Sequence, residues 1–108
     1  MLVLLLAALA AKEPPVVVSA LQTPQLVQQC RGKDADPAAT FCTGYILGIF
    51  DGLSLAHQIC PSPTRSSNIE VVAAVRRYLR KKGRKSDSAP SFVVRDALRA
   101  SFPCKTRR

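Results

Sequence analysis

The chain has 108 residues and a net charge of +9, from 16 Lys and Arg against 7 Asp and Glu, and 47% of its residues are hydrophobic. This length has room for one hydrophobic core, and the composition suits a folded globule, so a two-domain protein and a disordered chain are excluded. Trp is absent and aromatic residues make up only 6%, which predicts a core of Leu, Val, Ile and Ala.

The N-terminal segment resembles an export signal. Residues 1–11 form an apolar run of the length of a signal-peptide hydrophobic region, and Val18-Ser19-Ala20 offers small residues for cleavage. We therefore predict a signal peptide over residues 1–20, truncated because no Lys or Arg precedes the run, and a single helical domain over residues 21–108 in the periplasm. The run is too short to span a bilayer, so no membrane insertion of the mature chain is predicted. A cytosolic chain with an apolar N terminus is the alternative.

Four segments repeat apolar residues at helical spacing, and none shows the alternation of a strand. The predicted helices span residues 21–29, 41–57, 68–82 and 90–102. Ser67 to Glu70 matches a capping box before the third helix, and Gly83 ends it. The predicted fold is all-α, a compact bundle of about four helices with the most apolar one, the second, at its centre.

Each predicted helix has an inner face. The residues expected in the core are Leu21, Leu26 and Val27; Phe41, Tyr45, Ile49, Leu53 and Ala56; Ile69, Val72, Val75 and Leu79; and Phe92, Val93, Leu98 and Phe102.

Four cysteines, Cys30, Cys42, Cys60 and Cys104, are an even number in a short exported chain, which favours two disulfides. A zinc site is the less favoured alternative, because the gaps are long and the chain has one His. Cys42 and Cys60 flank a helix about 25 Å long, so they are not expected to pair. Of the two remaining connectivities, pairing Cys30 with Cys42 joins two helix ends and leaves Cys60 with Cys104.

Three glycines, Gly44, Gly48 and Gly52, share one side of the second helix. We interpret them as a tight helix crossing inside the fold, with a self-association face as the alternative. Asp51 and His57 fall on different sides of this helix and form no dyad. No nucleophile, base and metal set is present, so neither an enzyme nor a bound cofactor or metal is predicted.

The basic run of residues 76–85 is interpreted as a solvated face that also contacts a partner. Its only aromatic residue is Tyr78, and no nucleic-acid docking motif is present, so nucleic acid is not a predicted partner.

A family resemblance follows from the cysteine pattern. Three motifs in chain order resemble those of the type VI secretion amidase immunity proteins of the Rap/Tai group. They are Phe41-Cys42-x-Gly44-Tyr45-Ile46-x-Gly48, then Ile59-Cys60-Pro61, and finally Phe102-Pro103-Cys104. The resemblance implies a periplasmic, helical, often dimeric protein that binds a peptidoglycan amidase effector and blocks its active-site cleft.

From this resemblance we hypothesise that a rigid helical body, held by Cys30–Cys42 and Cys60–Cys104, presents a loop that occludes the amidase cleft. The candidate loops are residues 61–67 and residues 83–88. The partner-binding residues predicted within them are Pro61, Ser62, Pro63, Thr64 and Arg65 in the first loop and Arg84 and Lys85 in the second. A periplasmic chaperone of the small acid-stress kind is the main alternative, and a basic membrane-active or nucleic-acid-binding peptide is a further one.

Overall fold

The computed structural model describes residues 14–36 and 38–105. Within them the chain forms four α-helices and no strand. The helices are α1 (Thr23–Gln29), α2 (Phe41–Leu55), α3 (Asn68–Lys82) and α4 (Pro90–Ser101), and a 3₁₀ turn, Gly83–Lys85, continues directly from α3. Disulfides join Cys30 to Cys42 and Cys60 to Cys104. The predicted all-α bundle with two disulfides is confirmed.

The predicted signal peptide falls partly on residues 1–13, which lie outside the described residues. Its predicted cleavage site, Val18-Ser19-Ala20, lies in irregular and exposed chain just before α1. Among the described helices, none combines the length and the apolar character needed to cross a membrane.

Local side chains set the helix limits. Thr40 caps α2, since its Oγ1 accepts a hydrogen bond from the Thr43 N–H at 3.3 Å, and Ser67 caps α3 in the same way through Glu70 N–H at 3.2 Å. The α2 helix ends two residues earlier than predicted because His57 adopts a left-handed backbone conformation, with φ of 56°, which cannot continue a helix.

The third helix, rather than the second, lies at the centre of the bundle. The α3 helix packs against α2, α4 and the 3₁₀ turn. Its buried residues are Val71, Val72, Ala73, Val75, Arg76 and Leu79, whereas α2 buries only Cys42 and Ile46. The prediction that α2 is central is therefore wrong. Apolar residues concentrated on one face of α3 bury more than the larger number distributed around α2.

The buried face of α2 is also rotated from the predicted one. Phe41 is 52% exposed and Ala56 is exposed, whereas Tyr45, Ile49 and Leu53 are partly buried as expected. The reason is the disulfide to Cys30, which holds Cys42 against the core and turns Phe41 toward the edge. Ile69 at the start of α3 was likewise expected inside and is 41% exposed.

The glycines of α2 do not support a tight helix crossing. Gly44, Gly48 and Gly52 are exposed, and a Cβ placed on any of them would have no atom within 4 Å. That interpretation is wrong. The close backbone approach occurs instead at Gly83, where a Cβ would lie 2.8 Å from Val27 Cγ2, so this glycine allows the 3₁₀ turn to pack on α1.

Two basic residues of α3 hold the loop between α1 and α2. Arg76 is only 3% exposed and donates a hydrogen bond from Nη1 to the carbonyl oxygen of Lys33. Arg80 pairs with Asp34 through both Nη atoms, with Nη2 3.0 Å from Oδ2. This pairing with the Arg80 guanidinium lowers the pKa of Asp34 below its ordinary value. Part of the basic run is thus a structural anchor for the loop.

The two disulfides have different surroundings. Cys30 and Cys42 are buried and link the end of α1 to the first turn of α2 across 12 residues. Cys60 and Cys104 are exposed and link the chain after α2 to the chain after α4 across 44 residues. In the loop-entropy model such closures stabilise by about 3 and about 4 kcal/mol.

Candidate partner-binding surface

The loop between α2 and α3, residues 60–67, is firmly attached at its first residue. Ile59 beside it is 2% exposed and belongs to the core. The Cys60 N–H donates to the carbonyl oxygen of Phe102 at 2.9 Å, and the Cys60 side chain is bonded to Cys104. The base of the α2–α3 loop therefore has a covalent and a hydrogen-bonded attachment to the end of α4.

Hydroxyl groups shape the outer part of the α2–α3 loop. Ser66 Oγ donates to the carbonyl oxygen of Ser62 at 2.5 Å, and the Arg65 N–H donates to the same oxygen at 3.1 Å. Ser62 Oγ lies 3.0 Å from Thr64 Oγ1. Pro63 further restricts the backbone, because its ring fixes φ. The loop has an internally bonded turn, and its residues 62–65 are exposed.

The second candidate loop, residues 83–88, packs on α1. Its 3₁₀ turn begins at the buried Gly83, and the Thr23 hydroxyl, itself buried, donates to the carbonyl oxygen of Ser88 at 2.6 Å. Arg84 and Lys85 are exposed between these two attachments. This loop presents two cations on a short, tightly held turn.

The structure places the seven predicted partner-binding residues on two separate surfaces. Pro61, Ser62, Pro63, Thr64 and Arg65 precede α3, and Arg84 and Lys85 follow it. A 15-residue helix separates the two groups by about 22 Å along its axis. All seven are exposed except Pro61, which is partly buried. A single small binding feature cannot include both groups, so each loop is a candidate by itself.

A groove beside the α2–α3 loop was not predicted from the sequence. It has a volume of about 650 Å³ and lies between this loop, α3 from Ile69 to Arg77 and the chain around Phe102. Ile69, Ala73 and Arg77 line it from α3 at intervals of four residues, which places them along one side of the helix. That spacing is visible in the sequence, but Ile69 was expected in the core, so the sequence did not mark this side of α3 as a surface.

The cysteines, the possible metal ligands and the pair Asp51 and His57 were also considered in the sequence as sites of chemistry. All four cysteines are in disulfides, and no group of three His, Cys, Asp or Glu residues in the described part of the chain is placed to hold a metal ion. Asp51 and His57 are both exposed. The two loops and the groove are surface features that combine shape with charge.

The sequence matches a known protein family. A family model described as Rap1a immunity proteins matches residues 22–104. The chain belongs to the Rap1a immunity protein family. The match includes all four helices, both disulfides and both candidate loops. No curated protein and no solved structure matches the chain.

Membership of the Rap1a family confirms the resemblance found in the sequence. It indicates a role in immunity to an effector, and therefore a protein as the binding partner. Together with the two disulfides, it also indicates a secreted or periplasmic protein, because disulfides persist in oxidising compartments. The division into a signal peptide over residues 1–20 and a domain over residues 21–108 stays a prediction.

Proposed function

We propose that this protein inhibits a peptidoglycan amidase that is delivered by type VI secretion, and so protects the cell that produces it. The family match over residues 22–104 is the observation that carries the effector-immunity role. The amidase and the secretion route rest on the resemblance in the sequence. Inhibition is by occlusion: a loop of the immunity protein enters the effector's cleft and excludes the peptidoglycan. This requires no catalytic step and no cofactor from the chain.

The α2–α3 loop is our first candidate for the occluding element. Four consecutive exposed residues, 62–65, project from a base that is fixed to the end of α4. A loop that is ordered before binding loses little conformational freedom when it enters a cleft, which favours tight inhibition. The second loop, with Arg84 and Lys85, exposes a shorter turn and is the second candidate.

We place this inhibition in the periplasm, where a peptidoglycan amidase meets its substrate. A signal peptide over residues 1–20 would export the chain, and the oxidising compartment would allow both disulfides to form. The exposed, irregular chain around Ser19 is accessible to a signal peptidase and supports this assignment.

A homodimer is a further part of the proposal. Phe41 and Leu55 are 52% and 82% exposed, and helical geometry puts them within about 40° of each other on the side of α2 that carries the glycines. Exposed apolar side chains next to residues without side chains form a surface that a second copy could cover. Sedimentation equilibrium of the wild-type protein and of Leu55→Lys tests the dimer, which the charged side chain should dissociate.

The proposal is tested by mixing the full, oxidised protein with candidate peptidoglycan amidases and measuring both capture and hydrolysis of purified peptidoglycan. We expect one amidase to be captured and to lose its activity in proportion to the immunity protein added. If no amidase is captured and the protein instead suppresses aggregation of unrelated proteins at low pH, the chaperone alternative replaces this proposal.

The loop that enters the cleft is identified by substitution. Changing Pro63, Thr64 and Arg65 together to Ala should weaken inhibition of the amidase by about tenfold or more, since interface residues at a buried centre contribute most of the binding energy. The matched variant changes Arg84 and Lys85 to Ala. Should only this second variant weaken inhibition, the loop of residues 83–88 is the occluding element, and the α2–α3 loop is not.

A further inference from the structure

The groove beside the α2–α3 loop has an apolar floor. Ile69, Ala73 and Phe102 contribute to its lining, and Ile69 is 41% exposed although it is a large aliphatic side chain. A helix of a folded domain normally turns such a side chain inward. The floor therefore offers a concave contact for an apolar side chain from outside the domain.

The rim of the same groove is basic. Arg65 comes from the α2–α3 loop, Arg77 from α3 and Lys105 from the chain after α4, and all three are exposed. None of the three forms an ion pair with any residue in the described ranges. The groove has one carboxylate, that of Glu70, and this group already accepts a hydrogen bond from the Ser67 hydroxyl at 3.0 Å. The groove therefore has an excess of two positive charges.

Some other cations of the same molecule have partners within it. Arg80 pairs with Asp34, Arg99 donates to the Gln58 side chain at 2.6 Å, and Lys82 lies 5.2 Å from the centre of the Tyr78 ring. The three groove cations differ from these, because they come from three separate segments, have no ion-pair partner among the described residues and lie around one apolar groove. Such a rim attracts carboxylates, which form charge-assisted hydrogen bonds with guanidinium and ammonium groups.

We infer that this groove binds an extended, acidic segment of a protein partner, with carboxylates on Arg65, Arg77 and Lys105 and an apolar side chain on Ile69 and Ala73. A protein segment fits better than a membrane, because a planar lipid surface cannot reach a concave floor. The inference rests on the proposed function only in assigning the segment to the effector. The α2–α3 loop forms one wall of the groove, so an acidic segment beside the effector's cleft would be held while the loop occupies the cleft.

The test uses a defined peptide and therefore needs no effector. The ¹⁵N-labelled, oxidised full-length protein is titrated with an acetylated, amidated hexapeptide of alternating Leu and Glu, and in parallel with the same peptide carrying Gln in place of Glu. We expect the acidic peptide to shift the backbone amide signals of Ile69, Ala73 and Lys105. The Gln peptide should bind at least about fivefold more weakly, because it lacks the charges that match the rim.

Charge-reversal variants connect this binding to the groove. Arg77→Glu should weaken binding of the acidic peptide by about fivefold, the upper range for a solvent-exposed ion pair. Lys82→Glu is the matched control, since it makes the same charge change on the same helix but about 140° around its axis. It should change the affinity less than twofold. Lys105→Glu, which lies outside the helices, repeats the test without any effect on helix folding.

Three results would overturn the inference: equal binding of the Glu and Gln peptides, equal weakening by Arg77→Glu and Lys82→Glu, or amide shifts centred on Arg84 and Lys85. Phosphatidylglycerol vesicles are a further comparison. If they shift the amide signals of the groove residues and the acidic peptide does not, the groove binds a membrane and the inference is likewise overturned. If the acidic peptide does not bind but the protein still inhibits an amidase, only the groove inference is rejected. If the peptide binds but no amidase is inhibited, only the proposed function is rejected.

Discussion

Helices α2 and α3 are both 15 residues long, and they differ in nearly every other respect. The α2 helix is mostly apolar, with Asp51 as its one charged residue, whereas α3 carries five cations. Nevertheless α3 buries six side chains and α2 buries two. The comparison shows that the arrangement of apolar residues around a helix, more than their number, decides which helix is central. It also shows that a basic residue such as Arg76 can be part of the interior.

The largest expected effect tests the burial of α3 against that of α2. Leu79→Ala removes a side chain that is 1% exposed and should lower the free energy of unfolding by about 3 kcal/mol, from lost burial and the cavity left behind. Leu55→Ala is the matched change on α2, at a side chain that is 82% exposed, and should stay within about 0.5 kcal/mol of wild type when both are measured at a protein concentration that keeps them monomeric. Urea denaturation of the oxidised proteins measures both. Equal losses would contradict the central position of α3.

A smaller effect, of opposite sign, is expected on the exposed side of α2. In the Leu55→Lys background, in which the proposed dimer is dissociated, Gly48→Ala should raise the free energy of unfolding by about 1 kcal/mol, because Ala has the higher helix propensity and its Cβ would meet no atom within 4 Å. Gly83→Ala is the contrasting control and should lower stability, since its Cβ would lie 2.8 Å from Val27 Cγ2. In the wild-type background, where the proposed dimer covers this side of α2, the gain should be smaller or reversed. A loss of stability in the Leu55→Lys background would contradict the open space beside Gly48.

The smallest effect concerns the anchoring of α3 to the neighbouring loop. Because pairing with Arg80 lowers the folded-state pKa of Asp34 below its ordinary value of 3.8, the pair stabilises the fold above that value and loses its contribution as the pH falls through the lowered pKa. The difference in unfolding free energy between wild type and Asp34→Asn should therefore shrink on acidification from pH 5 to pH 2. Asp87→Asn, at an exposed carboxylate, is the control. A difference that does not vary with pH would rule out this ion pair as a source of stability.

Local signals explain what the sequence could predict. The capping box that begins at Ser67, the apolar spacing of each helix and the stop at Gly83 involve residues close together in the chain, so four helices could be located to within about two residues. The three possible disulfide connectivities could be reduced to two, because a helix separates Cys42 from Cys60 and makes their pairing unfavourable. The exposed loop residues 62–65 also followed from local turn chemistry.

Long-range contacts explain what the sequence could not predict. The burial of Arg76 depends on the carbonyl of Lys33, 43 residues away, and the orientation of α2 depends on the bond from Cys42 to Cys30. The groove forms only where the α2–α3 loop, α3 and the chain near Lys105 meet. Periodicity marks which side of a helix is apolar, but the partner that covers that side comes from elsewhere in the chain.

The exposed Cys60–Cys104 disulfide has a consequence for the lifetime of the protein wherever it meets proteases. It encloses α3, the 3₁₀ turn and α4 in one covalent ring of the backbone. A single proteolytic cut within that ring, for example near the exposed Arg84, leaves both pieces joined and both packed on the same core. The nicked chain keeps its parts at a high effective concentration, so one cleavage does not release a fragment.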